Sequence, residues 1–218
     1  MPFVEEELRP GVGRRSYTLS VRNPIHRLPK PWRTIVDWFA TIALAIVLVL
    51  AFEAEVAKPY RIPSSSMETT LHCARPASGC AARFSDRVLA FRLVYRFRDP
   101  RRGDIAVFDA PPRAIRTCNE GHGGAFVKRI VGLPGEVVSE RYGYVYVDGR
   151  RLREPYIDPS ERDAETATWP RVPPHEYFML GDNRRDSCDS RTWGPVSRSA
   201  LIGPVMLTYW PPNRIGFH

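Results

Sequence analysis

An uncharged run, FATIALAIVLVLAF, follows Trp38, and its apolar character reaches back to Trp32 with only Arg33 and Asp37 as interruptions. Read as a helix over residues 32–52, it extends about 31 Å, roughly the thickness of a bilayer core. Lys58-Pro59 should end that helix, and residues 60–63 should be extended, because a residue before proline avoids the helical region. The pattern then changes to short strand-like segments at 87–95, 105–108, 126–132, 137–147, 176–180 and 200–210. Asp148-Gly149 reads as a hairpin turn between 144–147 and 150–152. Irregular polar stretches at 109–124 and 158–174 interrupt the strands. The expected fold is mainly β: one N-terminal transmembrane helix followed by an antiparallel sheet or barrel with an irregular insertion. Three segments follow: a basic cytoplasmic tail at 1–31, the span at 32–52 and a β-rich extracytoplasmic domain at 53–218.

Charge supports that division. The chain of 218 residues carries a net +8, of which residues 1–33 hold seven Lys or Arg against three Glu, a local +4. Basic residues before an apolar span, with Trp32 and Trp38 at its entrance, place the N-terminus in the cytoplasm and the remainder outside. The Glu53-Ala54-Glu55 that follows lacks the small-x-small pattern of a cleavage site, so the helix reads as a retained anchor. No dense basic run interleaved with aromatics occurs in 53–218, which argues against nucleic acid as a partner. Cys73 and Cys80 bracket a short loop and are candidates for a local disulfide in an oxidising compartment, while Cys118 and Cys188 pair or stay free. Zinc is discounted because neither CxxC nor HxxxH spacing occurs.

The candidate chemistry lies in three stretches. The first is IPSSSMETTL at 62–71, where Ser66 is the candidate nucleophile; three serines in a row are equally the composition of a plain loop or cap. The second is FVKRIVGLPGE at 126–136. In an extended segment Phe126, Lys128 and Ile130 share one face and Val127, Arg129 and Val131 the other, so one of two adjacent cations must lie against apolar surface. A serine hydroxyl needs a base within reach, and lysine can serve as that base if its ammonium form is disfavoured. An ordinary lysine is neutral in only about one molecule in 2,500 at pH 7, so packing would have to contribute roughly 4 kcal/mol against the charge. The third is GDNRRDSCDSRTWGPV at 181–196, a polar turn that lacks the ligand alternation and closing Glu of a calcium loop.

Taken together, IPSxSM around Ser66, DRVL at 86–89, RGDIAVF at 102–108 with KRIVGLPGE at 128–136, and GDNRxxSxDSRxWGxV at 181–196 resemble the ordered sequence boxes of bacterial type I signal peptidases. The resemblance covers nearly all of residues 56–215 and implies Ser66 as nucleophile and Lys128 as general base. It also implies an oxyanion hole from the Ser64 hydroxyl and the Ser66 N–H, with Ser187 orienting the lysine. Asp182, Asn183, Arg184, Asp189, Ser190 and Arg191 would structure the site. Ile62, Met67, Leu71, Phe126 and Val127 would line small pockets for the substrate's −1 and −3 residues. Many members have Gly where this chain has Ser65, and Pro where it has Thr69.

The expected activity is therefore cleavage of signal peptides from exported preproteins after small residues, without metal or cofactor. The enzyme would sit in the bacterial cytoplasmic membrane beside the secretion translocon. Rival readings are a specialised relative maturing one pilus or conjugation protein, a serine–histidine site through His122 or His175, a self-cleaving repressor and a tethered binding protein. The histidine site lacks a GxSxG elbow, the repressor would carry a DNA-binding segment in place of the span, and the binding protein needs neither Ser66 nor Lys128.

Overall fold

The computed structural model describes residues 30–118 and 124–218. Helix α1, Lys30–Glu55, contains the apolar run and extends past the predicted 32–52 at both ends. Its stretch Thr34–Phe52, with mean hydropathy 2.5, is the helix among the described residues long and apolar enough to cross a membrane. At 1.5 Å per residue those 19 residues extend about 28 Å. Most of the basic tail, residues 1–29, lies outside the described residues, as does His122. The chain divides into two compact units, one ending at Ile46 and one beginning at Val47.

All the strands belong to the second unit. In chain order they are β1 (Ala57–Arg61), β2 (Arg87–Phe91), β3 (Ile105–Asp109), β4 (Ala125–Gly132), β5 (Val138–Arg141) and β6 (Tyr144–Val147). There follow β7 (Arg150–Arg151), β8 (Ala167–Thr168), β9 (Glu176–Leu180), β10 (Val196–Ser197), β11 (Leu201–Trp210) and β12 (Gly216–Phe217). The larger sheet runs β1-β2-β11-β3-β4-β9-β10, with β12 added to β11, and the smaller runs β7-β6-β5-β8. Every pairing between these strands is antiparallel. Pro59 is tolerated in β1 because that strand is an edge of its sheet.

Local chemistry accounts for the departures from expectation. The predicted strand at 137–147 divides into β5 and β6 because Tyr142 and Gly143 both take positive φ, 51° and 74°. Asp148 and Gly149 do the same at 48° and 76° between β6 and β7. Positive φ at both central residues suits the right-handed twist of the strands they join. The predicted strand at 87–95 stops at Phe91, and the short helix α2 (Val94–Phe97) follows. Within 109–124 the chain forms α3, Pro112–Thr117, with proline in its first turn, where a missing N–H is harmless.

Three apolar clusters fill the unit. Ile62, Met67, Leu71, Val88, Val107 and Val205 pack in one, and Phe108, Ile130, Met179 and Trp193 in another. Val131 and Leu180 join Val138 and Val145 in the third, which fastens the small sheet to the large one. The β4–β9 pairing covers Arg129 to Gly132, so residues 125–128 pair with β3 and no strand among the described residues pairs with their other side.

Gly132 stands where the two sheets meet, and a Cβ there would lie 2.6 Å from Val138 Cγ2 and 2.8 Å from Phe178 Cβ. Overpacking of this kind costs about 1–3 kcal/mol. Gly132→Ala is expected to lower the melting temperature of the full chain in detergent by about 2 to 10 °C; an unchanged melt would show that the sheets separate freely.

Candidate active site

The chain enters the site in extended conformation through β1 and residues 62–64, then tightens into a 3-10 turn, Ser65–Met67. Serine suits such a turn because its short side chain competes for backbone groups. Ser66 sits on it with 2% exposure. Facing it, Lys128 projects from β4, 1% exposed, and its Nζ donates to Ser66 Oγ at 2.6 Å. Ser64 Oγ lies 3.3 Å from Ser66 Oγ. These groups open on a cleft of about 390 Å³ whose wall includes Ile62, Met67, Phe126 and Val127.

Both cations of β4 are buried, not one as the alternation required. Arg129, 8% exposed, is met by a carboxylate: Nε and Nη2 donate to Asp182 Oδ1 and Oδ2 at 2.8 and 2.6 Å. Its guanidinium also lies 3.9 Å above the Tyr156 ring. Burial alone would pull the Arg129 pKa down, but the Asp182 hydrogen bonds and charge carry it above its ordinary value. Thr70 Oγ1 adds a third hydrogen bond to Asp182, 2.6 Å.

The polar turn after β9 holds Ser66 from behind. Asn183 N donates to the Ser66 carbonyl at 3.1 Å, and Asn183 Nδ2 to the Ser65 carbonyl at 3.3 Å. Asp189 caps helix α4 (Ser190–Trp193) and accepts from Gly181 N at 3.1 Å. Ser190 Oγ accepts from Met179 N at 2.9 Å. Arg184 Nε donates to the Gly181 carbonyl and its Nη2 contacts Glu154, while Arg191 bonds Asp189 and contacts Asp163. Disulfides join Cys73 to Cys80 and Cys118 to Cys188.

Two expected residues stand differently. Ser187 Oγ is buried and makes no hydrogen bond, so the orienting bond to the lysine is not formed; the hydroxyl is packed against Gly181 instead. Leu71 is fully buried in the apolar cluster that also holds Ile62 and Met67, but unlike those two it does not line the cleft. His175 is exposed at the turn before β9, outside the cleft lining. Sequence reasoning missed Arg129, Thr70, Glu154, Glu140 and Asp163 as partners of the site-structuring residues. It also missed Tyr60, Arg61 and Ala125 in the cleft wall. Arg129 could have been found by asking what pairs with the second cation of β4; the acidic partners from the small sheet and its loops carry no local signal.

Glu140, Asp163 and Glu165 bring carboxylate oxygens within 4.8 Å of one another. The Arg191 guanidinium already supplies a cation there, in contact with Asp163 and 3.6 Å from Glu140. Glu140 is fully buried, and neither carboxylate oxygen makes a hydrogen bond. That burial pushes its carboxyl up to about 7, against the pull of Arg191 and Arg184.

The site thus sets a serine hydroxyl against a buried amine, beside a strand edge that pairs with no other strand among the described residues. A family model described as signal peptidase, peptidase S26, matches residues 35–210. Signal peptidase I of Leptolyngbya laminosa is 38% identical over 193 residues, covering 88% of each chain. The probable signal peptidase I-2 of Synechocystis sp. is 39% identical over 186 residues, 85% of this chain and 78% of that one. A crystal structure of a signal peptidase I from Enterococcus faecalis V583 aligns with 50% of this chain and 98% of its own, at 31% identity and a TM-score of 0.41. The chain belongs to the signal peptidase family, peptidase S26, and its apolar helix fits a membrane-anchored enzyme.

A Cβ at Gly181 would lie 2.5 Å from the Ser66 carbonyl oxygen and 2.1 Å from Ser187 Oγ. Gly181→Ala is expected to push Ser66 off Lys128 and lower kcat about a hundredfold; unchanged turnover in a peptide-cleavage assay would contradict that placement. For Glu140 the raised folded-state value means stability fully present below 4.5 and lost as pH rises through about 7. Glu140→Gln should abolish that slope, so the melting temperature of wild type relative to the variant should fall between pH 5 and 8.

Proposed function

We propose that the protein is a signal peptidase I that cleaves exported preproteins by a Ser66 nucleophile and a Lys128 general base. The observation that carries this reading is the 2.6 Å contact between Lys128 Nζ and Ser66 Oγ at the wall of the cleft. Substrate binds extended, pairing with the open side of residues 125–128, so that main-chain hydrogen bonds supply affinity. The apolar wall of Ile62, Met67, Phe126 and Val127 accepts small residues at −1 and −3.

In the reaction Ser66 Oγ attacks the scissile carbonyl carbon while its proton passes to the Lys128 amine. The Ser64 hydroxyl and the Ser66 N–H stabilise the resulting oxyanion. Lys128 returns the proton to the departing amine, and the peptide bond breaks to leave an acyl ester on Ser66. A water then loses a proton to the same amine, attacks the ester and restores the enzyme. Asp182, Asn183, Arg184, Asp189, Ser190 and Arg191 hold the frame. The membrane is the cytoplasmic membrane of a bacterium, with the basic N-terminus inside and residues 53–218 outside, where the secretion translocon delivers substrate.

The test is cleavage of a preprotein bearing an Ala-x-Ala site by the full chain in detergent. Ser66→Ala and Lys128→Ala are expected to be inactive, and Ser64→Ala to be slower by about a hundredfold. A Lys128→Ala enzyme that still turns over would place the base elsewhere.

A further inference from the structure

The residue before the nucleophile is built into a contact that the reaction as described does not use. Ser65 is 5% exposed, and its hydroxyl donates to the Asp186 carboxylate, across 121 residues of chain. Asp186 is itself fixed, because its N–H donates to Asn183 Oδ1 at 3.1 Å, and Asn183 holds the carbonyls of both Ser65 and Ser66. A third element closes over the pair. Gly79, in the loop closed by the Cys73–Cys80 disulfide, comes so near that a Cβ on it would lie 2.7 Å from Asp186 Oδ2, from Ser65 Cβ and from Ser65 Oγ. Gly79 also holds φ at +72°, which a side chain would strain.

We propose that the hydroxyl–carboxylate pair of Ser65 and Asp186, roofed by Gly79 of the disulfide loop, is a positioning lock that sets the nucleophile turn against Lys128. The turn is three residues long and makes few bonds of its own: Glu68 N donates to Ser65 O and Leu71 N to Met67 O, while the carbonyls of Ser65 and Ser66 are also held by Asn183. Ser65 and Ser66 are adjacent, so a rotation of the Ser65 backbone swings Ser66 Oγ away from a lysine anchored separately on β4. A hydrogen bond to a charged acceptor is the stronger kind and is directional enough to oppose such a rotation. Ser65 touches neither substrate nor the reacting atoms and is a positioning residue; this assignment rests on the Ser66–Lys128 reading.

The experiment is a double-mutant cycle in the full chain in detergent: Ser65→Ala, Asp186→Ala and both, with Asp186→Asn as a conservative variant. Each single Ala change is expected to lower kcat about tenfold while KM stays within about twofold. The double variant should be no worse than the poorer single, because one contact is being removed twice. Asp186→Asn, which keeps an acceptor for the Ser65 hydroxyl, should recover most of the rate. Opening the Cys73–Cys80 loop by Cys73→Ser with Cys80→Ser should slow wild type and add little to Ser65→Ala. Turnover of Ser65→Ala within twofold of wild type, losses that multiply in the double variant, or a rise in KM with kcat intact would each overturn the lock. Melting curves identify any variant that fails to fold, and Ser65→Ala, which removes a single oxygen, then decides the matter alone. Ser66→Ala and Lys128→Ala run alongside: activity in either one defeats the dyad, whereas an inert dyad pair with a silent Ser65→Ala defeats only the lock.

Discussion

Two basic side chains, Lys128 and Arg129, stand side by side on one strand with almost no access to water, and much of the second unit is arranged around them. A buried charge is tolerable only when it is paired or its ionised form is disfavoured. The two side chains, on opposite faces of β4, meet different partners. Arg129 is given a bidentate carboxylate and an aromatic face, whereas Lys128 is directed at the hydroxyl of Ser66. Asp182 belongs to the turn that also carries Asn183, so pairing Arg129 draws that turn up behind Ser66. The Arg129–Asp182 ion pair and the Lys128–Ser66 contact are thus consequences of the same strand geometry.

Around that centre Ser66 and the residues that brace it sit on short, irregular pieces of backbone. The turn carrying Ser66 has three residues and helix α4 has four, lengths that cannot hold themselves in water. Their order comes from side-chain hydrogen bonds to backbone, chiefly through Asn183, Arg184, Asp189 and Ser190, and from two disulfides that close the flanking loops. Gly181 has no side chain because the Ser66 carbonyl and Ser187 occupy the space one would need.

The small sheet acts at one remove. Its strands and loops deliver Glu140, Glu154 and Asp163 to Arg184 and Arg191, which in turn grip the carbonyls of Gly181, Arg184 and Ser187. The third apolar cluster, with Val138, Val145 and Phe178, fixes where that sheet lies and so where those acidic groups meet the guanidinium groups. A network of this sort is stable only when nearly complete, and Glu140 is its least satisfied member.

Much of this architecture is legible in the sequence because it rests on local rules. The length of the apolar run predicts a membrane-spanning helix, Asp148-Gly149 predicts its hairpin, and the alternation along β4 predicts a buried cation. The spaced motifs around Ser66, Lys128 and residues 181–196 identify the family. Folding alone decided the partners. Arg129 meets Asp182 across 53 residues and Arg184 meets Glu154 across 30, and no periodicity specifies such pairs. For the same reason Leu71 does not line the cleft, Ser187 was left without its expected bond, and both cations of β4 were buried instead of one. Sequence spacing determines which face of an element a side chain occupies; which charge waits on the opposite face is settled only when distant segments pack together.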